Sequence, residues 1–213
     1  MIAPQHEHPP APEAGTTHER LLSAAAQLLA ERGYGGTSMA DIAQRVGVRK
    51  ASLYNYYASK EELLMELLRS SLAAWDDCCL EALEVSGPAE RRLWSYVRSA
   101  VDFTVEHPEQ VAIFRVAAAQ VGEPGLKDRV MAVLGEHRHR HRAALEAFFT
   151  EALAAGEVAP ADPRDLSYVF RMFMQGVLAS HLVCCHGDEQ LSPQRLESVW
   201  RVFWDGLGRG EDA

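Results

Sequence analysis

Residues 37–60 read TSMADIAQRVGVRKASLYNYYASK. Ser38 followed by Asp41 is a capping pattern that opens a helix, and Gly47 closes it, because glycine takes positive φ without steric cost. A second short helix is expected over about Lys50 to Tyr56. Ala43 is small enough to let the two helices approach, and Ile42, Val46, Val48 and Leu53 are the apolar pins that hold them. Two short helices on such a turn make helix-turn-helix geometry, whose second helix enters the major groove of DNA. The residues of that helix carry suitable chemistry. Arg49 and Lys50 stand at its start, Ser52 offers a hydroxyl, and Tyr54, Asn55 and Tyr56 present further donors. Lys60 lies at the start of the next helix, an end that favours an anion. The stretch holds four basic residues (Arg45, Arg49, Lys50, Lys60) and one acid, Asp41. Aromatics on short helices are usually core, and Tyr57 fits that role. Tyr54, Asn55 and Tyr56 are consecutive and cannot all face inward.

Outward from this stretch the chain reads as helix throughout, nine in all. Before it, Thr17–Arg32 is opened by Thr16 and Glu19, carries the stripe Leu21, Leu22, Ala25, Leu28 and Leu29, and stops at Gly33. After it, Ser59 and Glu62 open a long helix to about Leu83. Five more follow: about 89–106, stopped by His107-Pro108; about 109–121; about 124–155, with Gly156 beyond it; 163–185, opened by Asp162-Pro163; and 193–207, opened by Ser192-Pro193. Residues 1–16 are rich in Pro, His, Ala and Glu and read as a disordered leader. The expected division is therefore 1–16 leader, 17–62 helix-turn-helix domain and 63–213 a second helical domain.

The chain has 213 residues, 47% hydrophobic and 24% charged, which is ordinary globular composition. No apolar run reaches the roughly 18 residues needed to span a bilayer, so no membrane partner is expected. The first residues show neither a basic n-region nor an apolar h-region, and the expected compartment is the cytoplasm. Net charge is −9. Residues 17–69 carry seven Lys and Arg against six acids, and residues 70–213 carry fourteen against twenty-two. A nucleic-acid site therefore belongs to the N-terminal third. The four cysteines form two adjacent pairs, Cys78-Cys79 and Cys184-Cys185. They make no CxxC motif, and reduced thiols are the expectation.

IAQRVGVRKASLYNYYASKEELL resembles the N-terminal DNA-binding signature of the TetR family of bacterial transcriptional regulators. The likeness spans about Glu19 to Leu68, with the Gly-Tyr after the first helix, the Thr-Ser before the second, and IA…GV, LY.YY and SKEEL at the family's spacing. It implies a homodimer, a near-palindromic double-stranded operator and a pocket for a small-molecule effector in the C-terminal domain. Carried over by position, Ser38, Lys50, Ser52, Tyr54, Asn55, Tyr56 and Lys60 contact DNA. Arg49 departs from the family, in which many members have a small or acidic cap there. It adds a candidate base or phosphate contact, so the operator cannot be borrowed from a relative.

The last two helices have broad apolar faces: Leu166, Val169, Phe170, Phe173, Val177, Leu178, His181 and Leu182 on one, Leu196, Val199, Trp200, Phe203 and Leu207 on the other. Faces of that width need a partner. In TetR-like proteins they pair across a two-fold axis, which suits a palindrome; the interface expected here uses Leu166, Phe170, Val177, Leu196, Val199, Trp200 and Phe203. The alternative is packing inside one chain. An effector pocket is expected from Trp94, Val97, Val101, Phe114, Leu134, His137, His141, Phe148, Phe173 and His181, against the reading that these fill the core. His137 and His141 stand four apart on the stripe Val130, Leu134, Leu145, Phe148. They read as polar pocket lining, as core histidines, or, with His181, as ligands of a divalent metal. No metal or other cofactor is expected.

No nucleophile elbow, phosphate-binding glycine loop, HExxH motif or convincing inward Glu-x-x-His pair is present, so an enzyme is not expected. The reading is an all-α, dimeric, DNA-binding regulator, a repressor released from its operator by an effector. The rivals are a metal- or thiol-responsive regulator of the same fold and a ligand-binding protein that has lost operator binding.

Overall fold

The computed structural model describes residues 16–119, 125–183 and 191–207, without the side chains of 181–183. Among them the regular structure is helical, with no strand: α1 Thr17–Arg32, α2 Met39–Val46, α3 Lys50–Tyr54, α4 Lys60–Glu81, α5 Ala89–Glu106, α6 Pro108–Ala119, α7 Leu126–Ala154, α8 Pro163–Val183 and α9 Pro193–Leu207. The expected leader up to residue 15 and Cys184-Cys185 lie outside the described residues, while Thr16 is described and caps α1.

The caps fall where the sequence placed them. The Thr16 hydroxyl accepts from the Glu19 amide while Glu19 accepts from Thr16, and Ser38 and Asp41 repeat the exchange at α2. Gly47 takes φ 78° and ψ 28°. Its turn lets Val48 N donate to Ala43 O at 3.0 Å and Gly47 N to Gln44 O at 3.2 Å, which satisfies the last carbonyls of α2. The buried Thr37 hydroxyl donates to Leu28 O and Gly33 O, tying the end of α1 to the start of α2.

Two apolar clusters hold the molecule. The first joins α1, α2, α3 and the first half of α4, and it also takes in Ile113 and Ala117 of α6 and Leu126 and Val130 of α7. The second joins the end of α4 to α5, the second half of α7, α8 and α9. α4 belongs to both. α6 packs on α1 and α4, so one helix of the C-terminal portion rests directly on the first helix of the DNA-binding portion. No described helix is long and apolar enough to cross a membrane.

The faces of α8 and α9 differ from the expectation. Leu166, Phe170, Val177, Leu196 and Trp200 are buried within the single chain. Phe203 stacks on Phe173 with ring centroids 4.3 Å apart. Of the seven residues expected at a dimer interface only Val199 is exposed. The outward apolar face is Tyr168, Val169 and Met172 on α8 with Val199 and Val202 on α9. Both helices are apolar on more than one side, and periodicity does not tell which side turns inward.

Candidate nucleic-acid interface and cavity

α3 is held by its inward residues and displays the rest. Leu53 is fully buried and pairs with Ile42, Ala43 and Val46 in the first cluster. Tyr57 is buried, with its hydroxyl 2.7 Å from His18 Nε2. The face opposite carries Arg49, Lys50, Tyr54, Asn55 and Tyr56, all exposed, with Ser52 half-buried. Tyr54 and Tyr56 are 45% and 48% exposed, a large aromatic area to leave in water on a helix of five residues and the turn that follows it. The Lys50 ammonium lies 5.7 Å from the Tyr54 ring centre. Cations beside amphipathic rings on an exposed helix face form a surface suited to phosphates and base edges.

Two of the expected DNA contacts are committed to the fold. Ser38 caps α2: its hydroxyl donates to Asp41 Oδ2 at 2.5 Å and accepts from Asp41 N. The Lys60 ammonium donates to Tyr34 O at 2.6 Å and Thr37 O at 2.9 Å and lies 4.0 Å from the Tyr34 ring centre. Its burial there holds its pKa below the ordinary lysine value. Lys60 supplies a charged donor to two carbonyls of the α1–α2 connection; a motif read by position cannot show that.

A cavity of about 340 Å³ lies between α4, α5, α6, α7 and α8, within the size range of small-molecule sites. Its walls are largely apolar, from Leu72, Trp75, Val111, Phe114, Leu134 and Leu178, with Arg138 and Arg171 also lining it. Of the residues expected in an effector pocket, Phe114, Leu134, His137 and His141 line this cavity. Trp94, Val97, Val101, Phe148 and Phe173 do not. Trp94 packs on Trp200 with centroids 5.3 Å apart, and the other four belong to the second core cluster. The cavity side of α5 is Tyr96 and Thr104, one position round the helix from the Val97–Val101 stripe. A stripe of apolar residues marks core, while a cavity wall retains polar groups. The His181 side chain lies outside the described residues.

One polar cluster adjoins the cavity. Asp76 of α4 is 3% exposed. Its Oδ1 lies 2.5 Å from His137 Nδ1 and 2.8 Å from His141 Nε2, and its Oδ2 is paired with Arg140. Tyr96 Oη is 2.6 Å from His141 Nδ1. Burial alone would raise the Asp76 carboxyl, but the hydrogen bonds from His137 and His141 outweigh it and hold the group well below the usual carboxylate range. Burial pushes the His141 imidazole below its ordinary value, against the pull of Asp76. Asp76 and Tyr96 escaped the sequence reading. The one available signal was an acid at position 76 on the apolar row Leu68, Leu72 of α4.

Residues 21–67 match the model of the family described as bacterial regulatory proteins, tetR family. The chain is 26% identical over 193 residues to the transcriptional regulator RutR of Escherichia coli K12, covering 88% of each. Residues 21–67 thus carry a DNA-binding domain of the TetR family. It is 32% identical over 111 residues to the transcriptional repressor KstR2 of Mycobacterium tuberculosis H37Rv, covering 51% of this chain and 56% of that one. Among solved folds it superposes on AibR in complex with isovaleryl coenzyme A and operator DNA with a TM-score of 0.65. That match is 19% identical and covers 91% of this chain and 98% of the other. The chain is a transcriptional regulator whose helix-turn-helix is α2–α3. The two cysteines of α4 are poor sensors in this setting. Burial pushes both thiols above the ordinary value, Cys79 far above it, and a reactive thiol needs the opposite shift.

Proposed function

We propose that the chain is a dimeric operator-binding repressor that leaves its DNA when a small molecule fills the cavity between α4 and α8. The observation that carries the reading is the Arg49–Tyr56 surface: a cationic and aromatic face of a short helix left in water by a fully packed helix-turn-helix. Two such helices related by a two-fold axis enter successive major grooves roughly 34–36 Å apart. The exposed row Tyr168, Val169, Met172, Val199 and Val202 supplies the dimer face. Gly176, exposed on α8 with open space where a Cβ would stand, lets a second helix come close.

The cavity communicates with the DNA face through two helices. α4 starts beside α3 and carries Leu72 and Trp75 to the cavity. α6 turns Val111 and Phe114 to the cavity and Ile113 and Ala117 to the helix-turn-helix core. An occupant that fits one disposition of α4 and α6 better than another shifts the separation of the two α3 helices by that difference in affinity. Support for the effector comes from AibR, solved with both an acyl-coenzyme A and operator DNA, and support for repression from KstR2.

The test is a pair of substitutions read in two assays. In Lys50→Ala/Tyr56→Ala the operator complex is lost while sedimentation still reports a dimer. Unchanged operator affinity in that variant contradicts the docking and favours a protein that has kept the fold without the DNA function.

A further inference from the structure

We propose that Asp76, His137 and His141 form a binding site for one divalent transition-metal ion of the zinc class, with an open coordination position facing the cavity. One ligand atom from each residue lies within 4.8 Å of the other two. His137 and His141 stand one helical turn apart on α7, their ring centres 4.5 Å apart, and both turn a nitrogen to the same carboxylate oxygen of α4. Two imidazoles and one carboxylate are the donor set of borderline divalent ions; hard ions such as Mg²⁺ and Ca²⁺ select oxygen.

The groups behind the donors fit the same purpose. Arg140 holds Asp76 Oδ2, so Oδ1 is left to face the two imidazoles. Tyr96 Oη meets His141 Nδ1 at 2.6 Å. With a metal on Nε2, Nδ1 carries the proton and donates it to the Tyr96 oxygen, which fixes the tautomer and the ring plane. His137 and His141 line the cavity and Asp76 is buried behind them, so three protein ligands leave a fourth position toward the cavity space. That is the arrangement of a metal that still accepts an outside ligand. Bonds of about 2.0–2.2 Å place tetrahedral donors about 3.3 Å apart, so the two contacts made by Oδ1 lengthen by about 0.5–0.8 Å on loading. The inference does not rest on operator binding, and the site gives the cavity a preference for occupants with an oxygen donor, such as a carboxylate or hydroxamate.

The experiment uses full-length protein stripped with chelator, then titrated with Co²⁺ and, by competition with a chromophoric chelator, with Zn²⁺. The expected result is one ion per chain with a visible Co²⁺ d–d band. His137→Ala, folded by circular dichroism, loses the band. Tyr96→Phe weakens binding by about tenfold, the low end for loss of a group supporting a metal ligand, and His139→Ala, an exposed neighbour, binds as wild type. Acetohydroxamate, added as a probe of the open position, shifts the Co²⁺ band. Absence of uptake by the wild-type protein overturns the proposal. So does uptake that His137→Ala leaves intact, which would place the ion elsewhere, as on the histidines near the N-terminus. A bound ion whose spectrum ignores acetohydroxamate overturns the open position. Operator affinity of the metal-free protein, measured alongside, reports separately on the regulator reading.

Discussion

At the scale of single residues, backbone conformation and charge decide most. Gly47 sits at φ 78°, and a Cβ there would meet no atom within 4 Å. The cost of Gly47→Ala is therefore backbone strain alone, about 1–2 kcal/mol, with Gly47→Asn losing less. Urea unfolding checks the order. An alanine variant as stable as wild type would show that the turn tolerates another conformation. Lys50 is exposed at the start of α3, where a lysine reaches guanine O6 and N7. Lys50→Ala should lower operator affinity by about 1–3 kcal/mol and relax base preference at one position in each half-site. A uniform loss on all sequences would make Lys50 a phosphate contact instead. The outward residues Arg49, Lys50, Tyr54, Asn55 and Tyr56 were legible because three consecutive polar or amphipathic residues cannot all be buried. The use of Lys60 on the carbonyls of Tyr34 and Thr37 was not, because those partners lie 26 and 23 positions away.

At the scale of elements, local chemistry sets the ends and tertiary contact sets the faces. The Ser38–Asp41 box caps α2, and hydrogen bonds from the Ser38 side chain, then its backbone, hold the Asp41 carboxyl below its usual value of 3.8. A depressed acid stabilises the fold above its unfolded pKa and loses that contribution as pH falls through the folded value. The melting temperature of Asp41→Ala should thus lie below wild type near neutrality, with the gap closing below about pH 4. A gap that persists undiminished in acid would mean the carboxylate charge plays no part in the cap. Caps, glycines and prolines made the helix order readable, since each acts within about four residues. The rotation of α5 was not readable: Tyr96 and Val97 are neighbours in sequence, and only packing against α7 and α8 turns Tyr96 to His141 and the cavity. The partnership of Asp76 with His137 and His141 spans 61 and 65 positions, and nothing in either local pattern announces it.

At the scale of the whole molecule, the question is how two copies present two recognition helices. The proposed dimer face is the outward row on α8 and α9, where Val202 is 77% exposed and Val169 48%. Val169→Glu/Val202→Glu should leave the helical content of the chain intact and yield monomers in sedimentation, with operator binding lost because one half-site alone anchors it. A dimer that survives both charges would place the two-fold axis elsewhere. Trp200→Ala, in contrast, should destabilise the chain itself, by about 3–5 kcal/mol for a buried large aromatic, because Trp200 is packed inside the monomer. The expected interface mixed these two sets. Both are apolar at helical spacing, and burial within the chain separates them. The most direct measurement is selection of bound fragments from a random duplex pool by the purified protein at fixed salt, since affinity depends on salt. The account predicts enrichment of a near-palindrome with half-site centres one helical turn apart. A folded dimer that enriches no sequence, or a single unpaired half-site, would contradict it.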